Sequence, residues 1–255
     1  MVVKQFKMMK ELLNNKVAIV TGAGRGIGRS IAEKFATEGA IVYAVDLNET
    51  DLRWTDDVQF KFGKVYASAL DICDFQAVKA EVMKIKKDNG RLDILVNNAG
   101  LISYELLPMI DYEKLRKMFE VNAIALIHFM MIASRVMQRQ QSGSIINMAS
   151  QVAVKGARGQ LSYSATKGAV ISATLSGAKE LAEYHIRVNA IAPGMVGTDR
   201  FKNVLAEKFS QKINDIPFGR LAAPDEIADT CLYLASDMSK YVTGQIIGID
   251  GGVTL

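Results

Sequence analysis

Tyr163 and Lys167 are the pair of residues in this 255-residue chain whose types and spacing best suit proton-transfer chemistry. Residues four apart in a helix lie on the same face, one turn from each other. A nearby ammonium group favours an ionised phenol, whose pKa is about 10 when free, and would make it useful as an acid near neutral pH. Ser150 precedes this pair at the end of an apolar run that predicts a strand. A Tyr and a Lys also reach this spacing by chance, so the pair gains meaning only from the elements that must position it.

A glycine-rich segment near the N-terminus joins a predicted strand to a predicted helix. Val17–Val20 is entirely apolar, as in a central strand buried on both faces, and apolar residues recur at helical spacing from Ile31. Between them, the pattern Thr-Gly-x-x-x-Gly-x-Gly places glycines at Gly22, Gly26 and Gly28. A helix that starts in such a turn presents free N–H groups and a positive dipole to a pyrophosphate. We therefore predict a dinucleotide site, against the alternative that the glycines serve turn geometry alone.

Acidic residues end the next two predicted strands. Asp46 follows the strand 41–45, where it could accept hydrogen bonds from the adenosine ribose and repel a 2′-phosphate, or could cap the following turn. Arg25 in the glycine loop would favour a 2′-phosphate, but a carboxylate facing a phosphate in a tight site is a direct penalty. NAD(H) is therefore the predicted cofactor, with NADP(H) as the alternative. Asp71 ends the strand 64–70, where contact with the adenine amino group and capping of the next helix are equally open roles.

Polar residues also follow the fourth predicted strand and interrupt a long apolar helix. The strand 92–96 runs into Asn97-Asn-Ala-Gly100, where Asn side chains could bridge strand ends and the small residues would let a cofactor approach the backbone. Residues 111–138 predict one helix that contains Asn122 among apolar neighbours. An unsatisfied buried amide costs about 1–3 kcal/mol, so Asn122 is expected to have specific partners.

Strands and helices alternate along the chain, which predicts an α/β fold. The expected architecture is a single-domain Rossmann fold over residues 16–255, with a doubly wound, mostly parallel seven-stranded sheet and helices on both faces. Residues 1–15 are expected to form a short N-terminal arm without the features of a signal peptide. Residues 195–220 have weak periodicity and are expected to form a flap over the substrate.

Composition excludes several classes of function. The net charge of +4 is spread along the sequence, so nothing favours nucleic acid as a partner. No apolar run reaches membrane-spanning length, so no membrane is expected as a partner. Cys73 and Cys231 are isolated, which indicates a reduced, cytoplasmic protein. His128 has no metal-like partner, and no metal site is predicted.

The motifs, taken in their order along the chain, resemble those of the classical short-chain dehydrogenases/reductases. The resemblance covers residues 16–255 and implies a catalytic tetrad at Asn122, Ser150, Tyr163 and Lys167. Hydride would pass between nicotinamide C4 and a carbonyl carbon, with Tyr163 as acid or base, Ser150 on the substrate oxygen, Lys167 on the nicotinamide ribose, and Asn122 holding a water in a proton relay. The predicted cofactor-binding residues are Gly22, Arg25, Gly26, Ile27, Gly28, Asp46, Asp71, Ile72, Asn98, Ala99, Gly100, Tyr163, Lys167, Pro193, Gly194, Val196 and Thr198.

The sequence indicates the substrate less clearly than it indicates the reaction. Segments 216–221 and 241–244 are similar to those of 3-oxoacyl-carrier-protein reductases, but many sugar, polyol and steroid dehydrogenases share them. Asp46 departs from the NADPH use typical of biosynthetic reductases, and Glu183 and Tyr184 stand where an Arg would help to dock an acidic carrier protein. The expected substrate is a small secondary alcohol or ketone, with a 3-oxoacyl thioester as one candidate. The alternatives are a sugar, polyol or hydroxysteroid dehydrogenase, and a non-catalytic dinucleotide-binding scaffold.

The helix 111–138 has more apolar residues than one buried stripe requires. Its apolar run predicts a homo-oligomer, and a D₂ tetramer is expected. In that tetramer, this helix and the Tyr163 helix would pair with their counterparts in a second copy across a two-fold axis. Strand 245–249 would supply a second contact between copies. The alternative is a helix fully buried beneath the flap. The residues behind this expectation are Leu126, Ile127, Phe129, Met130, Met131 and Ile132.

Overall fold

The computed structural model describes residues 11–199, 213 and 215–253. Most of the predicted N-terminal arm and the central part of the predicted flap lie outside these residues. The described residues form a seven-stranded sheet with every neighbouring pair parallel, in the order β3-β2-β1-β4-β5-β6-β7. The strands are β1 (Val17–Thr21), β2 (Ile41–Asp46), β3 (Lys64–Ala69), β4 (Ile94–Asn97), β5 (Gly143–Met148), β6 (Ile186–Pro193) and β7 (Ile246–Ile249).

Helices cover both faces of this sheet. Buried side chains form one apolar cluster on each face, one including Val82 and Phe129 and the other Phe35 and Ile227. Burying an apolar side chain of this size contributes about 1.5–3 kcal/mol, so the two clusters hold the layers together. The helices are α1 (Gly26–Thr37), α2 (Phe75–Asn89), α3 (Tyr112–Phe119), α4 (Ala125–Gln140), α5 (Gln151–Lys155), α6 (Leu161–Leu181) and α7 (Pro224–Ala235). The predicted Rossmann-type α/β fold is confirmed.

The strand order reverses between β1 and β4, and this position determines where a ligand can bind. In open parallel sheets, ligands bind in the crevice outside the carboxyl ends of the strands at such a reversal. The Asn97 amide donates to Asn147 Oδ1 at 2.9 Å, which joins the ends of β4 and β5. The Asn98 amide donates to the carbonyls of Thr21 and Gly22 at 3.0 and 3.1 Å, which joins the ends of β4 and β1. The expected bridging of strand ends by Asn side chains is therefore confirmed.

The long apolar helix is continuous from Tyr112 to Gln140, but its middle is not α-helical. Glu120–Ile124 form a π-helical turn that joins α3 to α4 and contains Asn122. By length and composition alone, this helix could cross a membrane, with a mean hydropathy of 1.4 in its most apolar window, half of which is buried inside the fold. No segment was expected to reach membrane-spanning length, and this helix does so by length and composition. The expectation considered uninterrupted apolar runs, whereas this helix continues through polar residues such as Asn122.

Candidate active site

The glycine loop packs so closely against neighbouring backbone that a side chain at Gly22 or Gly28 would clash. Gly22 has φ +64°, in the left-handed region, and a Cβ there would lie 2.8 Å from Ala99 Cα. A Cβ on Gly28 would lie only 2.1 Å from the carbonyl oxygen of Gly22. These glycines let the loop pack directly against the end of β4 and against the first turn of α1. The N-terminus of α1 is thereby left open towards the crevice, as a pyrophosphate site requires.

Asp46 is held at the end of β2 by two backbone donors. Its Oδ2 accepts a hydrogen bond from Gly24 N at 2.8 Å, and its Oδ1 accepts one from Leu47 N at 2.8 Å. The carboxylate therefore orders the glycine loop while lining the cavity beside it. The turn-capping and ribose-binding roles are compatible, because a carboxylate has further lone pairs for a ligand.

Asp71 does not cap the following helix. Its Oδ1 accepts a hydrogen bond from Cys73 N at 2.9 Å, whereas the N-cap of α2 is Asp74, which accepts from Gln76 N and Ala77 N. The capping alternative for Asp71 was therefore wrong by three residues. Asp71 instead lines the cavity next to the glycine loop, where its role towards a ligand remains a prediction.

A continuous cleft follows the carboxyl ends of the strands. A cavity of about 470 Å³ beside the glycine loop shares lining residues with one of about 240 Å³ beside Lys167. The first is lined by the predicted residues Gly22, Arg25, Gly26, Ile27, Asp46, Asp71, Ile72, Asn98, Ala99, Gly100 and Thr198. The second is lined by Tyr163, Lys167, Pro193, Gly194 and Val196. Gly28 is the predicted cofactor residue that does not line the cleft, because it packs behind Gly22.

Several lining residues were missed by the sequence interpretation. Leu47 and Asn48 follow Asp46 directly and could have been found from their position after the strand end. Lys117 and Val121 also line the large cavity. Their spacing of four residues places them on one helix face, but the sequence does not show that this face meets the loop after β4. On the substrate side, the missed residues are Ile102, Tyr104, Gln151, Val152, Ala157, Arg158, Gln160 and Met195.

Lys167 is buried in the described structure without a carboxylate within ion-pair distance. Its Nζ donates to the carbonyl oxygen of Met148 at 2.6 Å and lies 5.9 Å from the centre of the Tyr163 ring. Burial lowers the pKa of Lys167 to about 8, because desolvation penalises the charged ammonium. The prediction that Tyr163 and Lys167 lie on the same face of one helix is therefore confirmed.

Asn122 has the specific partners that its burial requires. Its Oδ1 accepts from Leu101 N at 2.7 Å, and its Nδ2 donates to Leu101 O at 2.8 Å and to Thr166 Oγ1 at 3.0 Å. The side chain thus joins the loop after β4 to α6, beside Lys167. Because the amide is occupied by these partners, a water held by Asn122 would have to use its backbone or an oxygen lone pair. A Cβ on Gly100 would lie 3.3 Å from Asn122 Oδ1 and 3.5 Å from Lys167 Nζ, so glycine keeps this corner open.

Ser150 ends the segment after β5 and caps the short helix α5. Its Oγ accepts from Val152 N at 3.4 Å, which is long for a hydrogen bond and leaves the hydroxyl able to donate elsewhere. Ser150 and Tyr163 both line a cavity of about 130 Å³ that opens from the cleft. Two hydroxyl-bearing side chains that line one small cavity could both form hydrogen bonds to a single substrate oxygen.

The residues present fit a nicotinamide dinucleotide. The open helix N-terminus and the glycine cradle suit its pyrophosphate, Asp46 suits a ribose, and the cleft leads from there to Lys167 and Tyr163. Such a cofactor supplies hydride chemistry when it is bound. The chain offers the cleft, the hydroxyl side chains of Ser150 and Tyr163, and the buried Lys167 at the far end of the cleft.

Known proteins share this architecture. Residues 22–254 match a family model described as enoyl-(acyl carrier protein) reductase. A 3-oxoacyl-[acyl-carrier-protein] reductase of Thermotoga maritima is 39% identical over 244 residues, covering 95% of this chain and 99% of the relative. Nodulation protein G of Azospirillum brasilense is 39% identical over 244 residues, covering 94% of this chain and 99% of the relative.

Solved structures agree with the sequence relatives. Levodione reductase is similar with a TM-score of 0.89 at 28% identity, covering 94% of this chain and 98% of that chain. A short-chain type dehydrogenase/reductase from Mycobacterium ulcerans has a TM-score of 0.90 at 28% identity, covering 94% of this chain and 90% of that chain. With a family match over most of its length and relatives of almost equal extent, the chain belongs to the short-chain dehydrogenase/reductase family of NAD(P)-dependent oxidoreductases that act on CH–OH or keto groups.

Proposed function

We propose that Tyr163 is the acid/base of this oxidoreductase and that Asn122, Ser150 and Lys167 complete its catalytic group. The observation that carries the proposal is the convergence of Ser150 and Tyr163 on one small cavity, with the buried Lys167 ammonium behind the phenol. A scaffold that only bound a dinucleotide could use Lys167 for the ribose, but it would have no use for a serine and a tyrosine that line a separate small cavity beside it. Catalysis therefore explains these residues better than the scaffold alternative.

In the reducing direction, a bound nicotinamide would supply hydride for the carbonyl carbon, and the chain's own residues must give the carbonyl oxygen a proton. Tyr163 donates that proton, and Ser150 donates a hydrogen bond to the same oxygen as negative charge develops on it. Lys167 favours the tyrosinate that remains, and solvent returns the proton along a path that passes Asn122. The reverse sequence oxidises a secondary alcohol, so both directions use the same residues.

A 3-oxoacyl thioester is the substrate class that we favour. The relative from Thermotoga maritima is named for 3-oxoacyl groups on an acyl carrier protein. Glu183 lies at the end of α6 and is hydrogen-bonded to Tyr184, so this end offers a carboxylate rather than a cation to an acidic carrier. That feature disfavours docking of an acidic carrier protein but not a thioester as such, so on the strength of the named relative we propose reduction of 3-oxoacyl thioesters, with sugars, polyols and hydroxysteroids as the competing substrates. Turnover of a panel of these carbonyls with NADH and NADPH tests the proposal, which fails if no 3-oxoacyl thioester is reduced.

NAD(H) is the nucleotide that we propose for this chain. Asp46 is fixed by Gly24 N and Leu47 N at the adenosine end of the cleft, and the next residue is an exposed Leu47 rather than a cation. A 2′-phosphate placed here would meet a carboxylate held in position. Arg25 lines the same cavity and would act in the opposite direction.

Replacing Asp46 with Ala is expected to shift the NADPH-to-NADH ratio of kcat/KM towards NADPH by at least about tenfold, because like-charge contacts in a tight site cost several kcal/mol. Measuring kcat/KM with both nucleotides in both proteins tests this. Asp71→Asn is the matched control, because it removes a charge facing the part of the cleft common to both nucleotides and should leave the ratio unchanged. A clear NADPH preference in the unaltered protein would mean that Arg25 outweighs Asp46.

We also propose a D₂ homotetramer. The sequence expectation was partly wrong about its residues, because Leu126, Phe129, Met130 and Ile132 are buried inside the subunit. The exposed residues Ile124, Ile127 and Met131 instead form one stripe, 52%, 49% and 38% exposed respectively. Their spacing of three and four residues places them on a single helix face, which a second copy could cover. The cytoplasmic location expected from the isolated cysteines stays a prediction.

Light scattering coupled to size exclusion is expected to give about four times the chain mass of 27.9 kDa. Ile127→Glu places a charge in the exposed stripe and should dissociate the assembly, with a loss of activity because the stripe follows the turn that holds Asn122. A fully active unaltered protein that elutes as a monomer at micromolar concentration would contradict both the interface and its link to catalysis.

A further inference from the structure

The substrate cavity beside Ser150 and Tyr163 has a single charged residue among its described lining residues, Arg158. The rest of the described wall is apolar or carries neutral polar groups, including Tyr104, Gln151 and Gln160. A lone cation at the edge of such a cavity gives it a positive potential and attracts anions. The reaction itself requires no cation there, since hydride and proton transfer are served by the residues already described.

No described carboxylate forms an ion pair with Arg158. Within the described residues it forms no ion pair or side-chain hydrogen bond, whereas Lys155 in the same segment binds Asp250 Oδ2 at 3.0 Å and Val253 O at 2.6 Å. Arg158 is exposed, and no described residue binds any of the five donors of its guanidinium. These donors form a planar fork that matches two oxygens of a carboxylate or phosphate.

The backbone around Arg158 is fixed relative to the catalytic residues. Gly159 O accepts a hydrogen bond from Glu105 N at 2.8 Å, which ties this loop to the opposite wall of the cavity. Gln160 N donates to Ala157 O at 3.2 Å, closing a turn around Arg158. Because α6 begins at Leu161, the same rigid connection carries Tyr163. The point at which the Arg158 side chain leaves the backbone is therefore fixed relative to the phenol.

We propose that Arg158 is a specificity-determining residue that binds an anionic group of the substrate while the keto group lies between Ser150 and Tyr163. This inference rests on the proposed oxidoreductase activity and narrows its substrates to ketones that carry an anionic group, whether or not they are thioesters. The anion has two chemical sources, a carboxylate close to the keto group or a phosphate on a longer pantetheine arm. Both present paired oxygens to the guanidinium, so the experiment must separate them.

The test compares Arg158→Gln with the unaltered protein on four ligands that share a 3-oxobutanoyl group. These ligands are acetoacetate, its neutral methyl ester, acetoacetyl-coenzyme A and the neutral N-acetylcysteamine thioester. The variant should lose about 10- to 100-fold in kcat/KM on at least one anionic member, mainly through KM, and little on the neutral partner. Arg158→Lys should restore part of the loss, and Lys84→Gln removes a charge on the exposed face of α2 as the matched control.

The pattern of losses identifies the source of the anion. A loss confined to acetoacetate assigns a nearby carboxylate, and a loss confined to acetoacetyl-coenzyme A assigns a phosphate. Equal losses on charged and neutral ligands, or no loss on any, would overturn the role of Arg158. Binding of the same ligands to nucleotide-loaded protein is measured in parallel, so that absence of turnover would contradict the proposed reduction while the binding ratios still decide the role of Arg158.

Discussion

Replacing Tyr163 with Phe is expected to lower kcat by about 10²- to 10⁴-fold, the usual contribution of a positioned acid or base. The substitution removes one hydroxyl from the wall shared by the two smaller cavities and leaves the ring in place. Nucleotide affinity should be nearly unchanged, because the hydroxyl acts on the substrate oxygen. Steady-state kinetics and nucleotide titration of the same preparation test both parts.

The control for this variant is Tyr184→Phe, which removes a phenol from the far end of the α6 region, away from the cleft. That protein should retain the activity of the unaltered enzyme. Retention of more than a few per cent of activity by Tyr163→Phe would contradict the assignment of the acid/base.

Replacing Lys167 with Met is expected to weaken both turnover and nucleotide binding, because the ammonium serves the phenol and the nicotinamide ribose together. A loss in kcat alone, with nucleotide affinity unchanged, would contradict the second of these roles. Methionine fills a similar volume among the buried residues of α6, so a general collapse of the fold is not expected. Nucleotide titration and kcat measured side by side separate the two roles.

The same substitution has a consequence for stability that depends on pH. The pKa of Lys167 is lowered by burial from 10.5 to about 8, so between these values the unfolded chain binds more protons than the folded one. Stability of the nucleotide-free protein therefore rises as pH increases through this window. Relative to Lys167→Met, which lacks this titration, the unaltered protein should gain roughly 3 kcal/mol across it. Denaturant unfolding of both proteins below and above the window measures the difference, and parallel stability profiles would contradict a desolvated lysine.

The sequence was sufficient to predict the elements that repeat a clear pattern. The apolar run Val17–Val20 gave a correct strand because parallel strands buried on both faces are almost uniformly apolar. Asn97 and Asn98 could be placed at strand ends because polar residues directly followed an apolar strand. Tyr163 and Lys167 could be placed on one face because helical spacing is a local property of the chain.

Features that depend on distant residues could not be predicted. The partners of Asn122 are 21 and 44 residues away, so the sequence showed that it needed partners without showing which. The π-helical turn that carries it leaves no mark in apolar periodicity. Helix α5 has five residues, too few to show a period, and the loop with Arg158 has no repeating pattern at all. The sequence leaves capping of α2 open for Asp71 because Asp71 and Asp74 both precede that helix, and the structure assigns it to Asp74.

Transfer of isotope from cofactor to product is the most direct test of the central claim, that this chain moves hydride between a nicotinamide and a carbonyl carbon with Tyr163 as the acid. Nicotinamide cofactor deuterated at C4, on one face and then on the other, is incubated with acetoacetyl thioester, and the alcohol product is analysed by mass spectrometry. We expect one deuterium on the carbinol carbon from one of the two labelled faces, and almost no labelled product from Tyr163→Phe saturated with the same nucleotide. An alcohol without deuterium from either face, or equal labelled product from the variant, would contradict that claim.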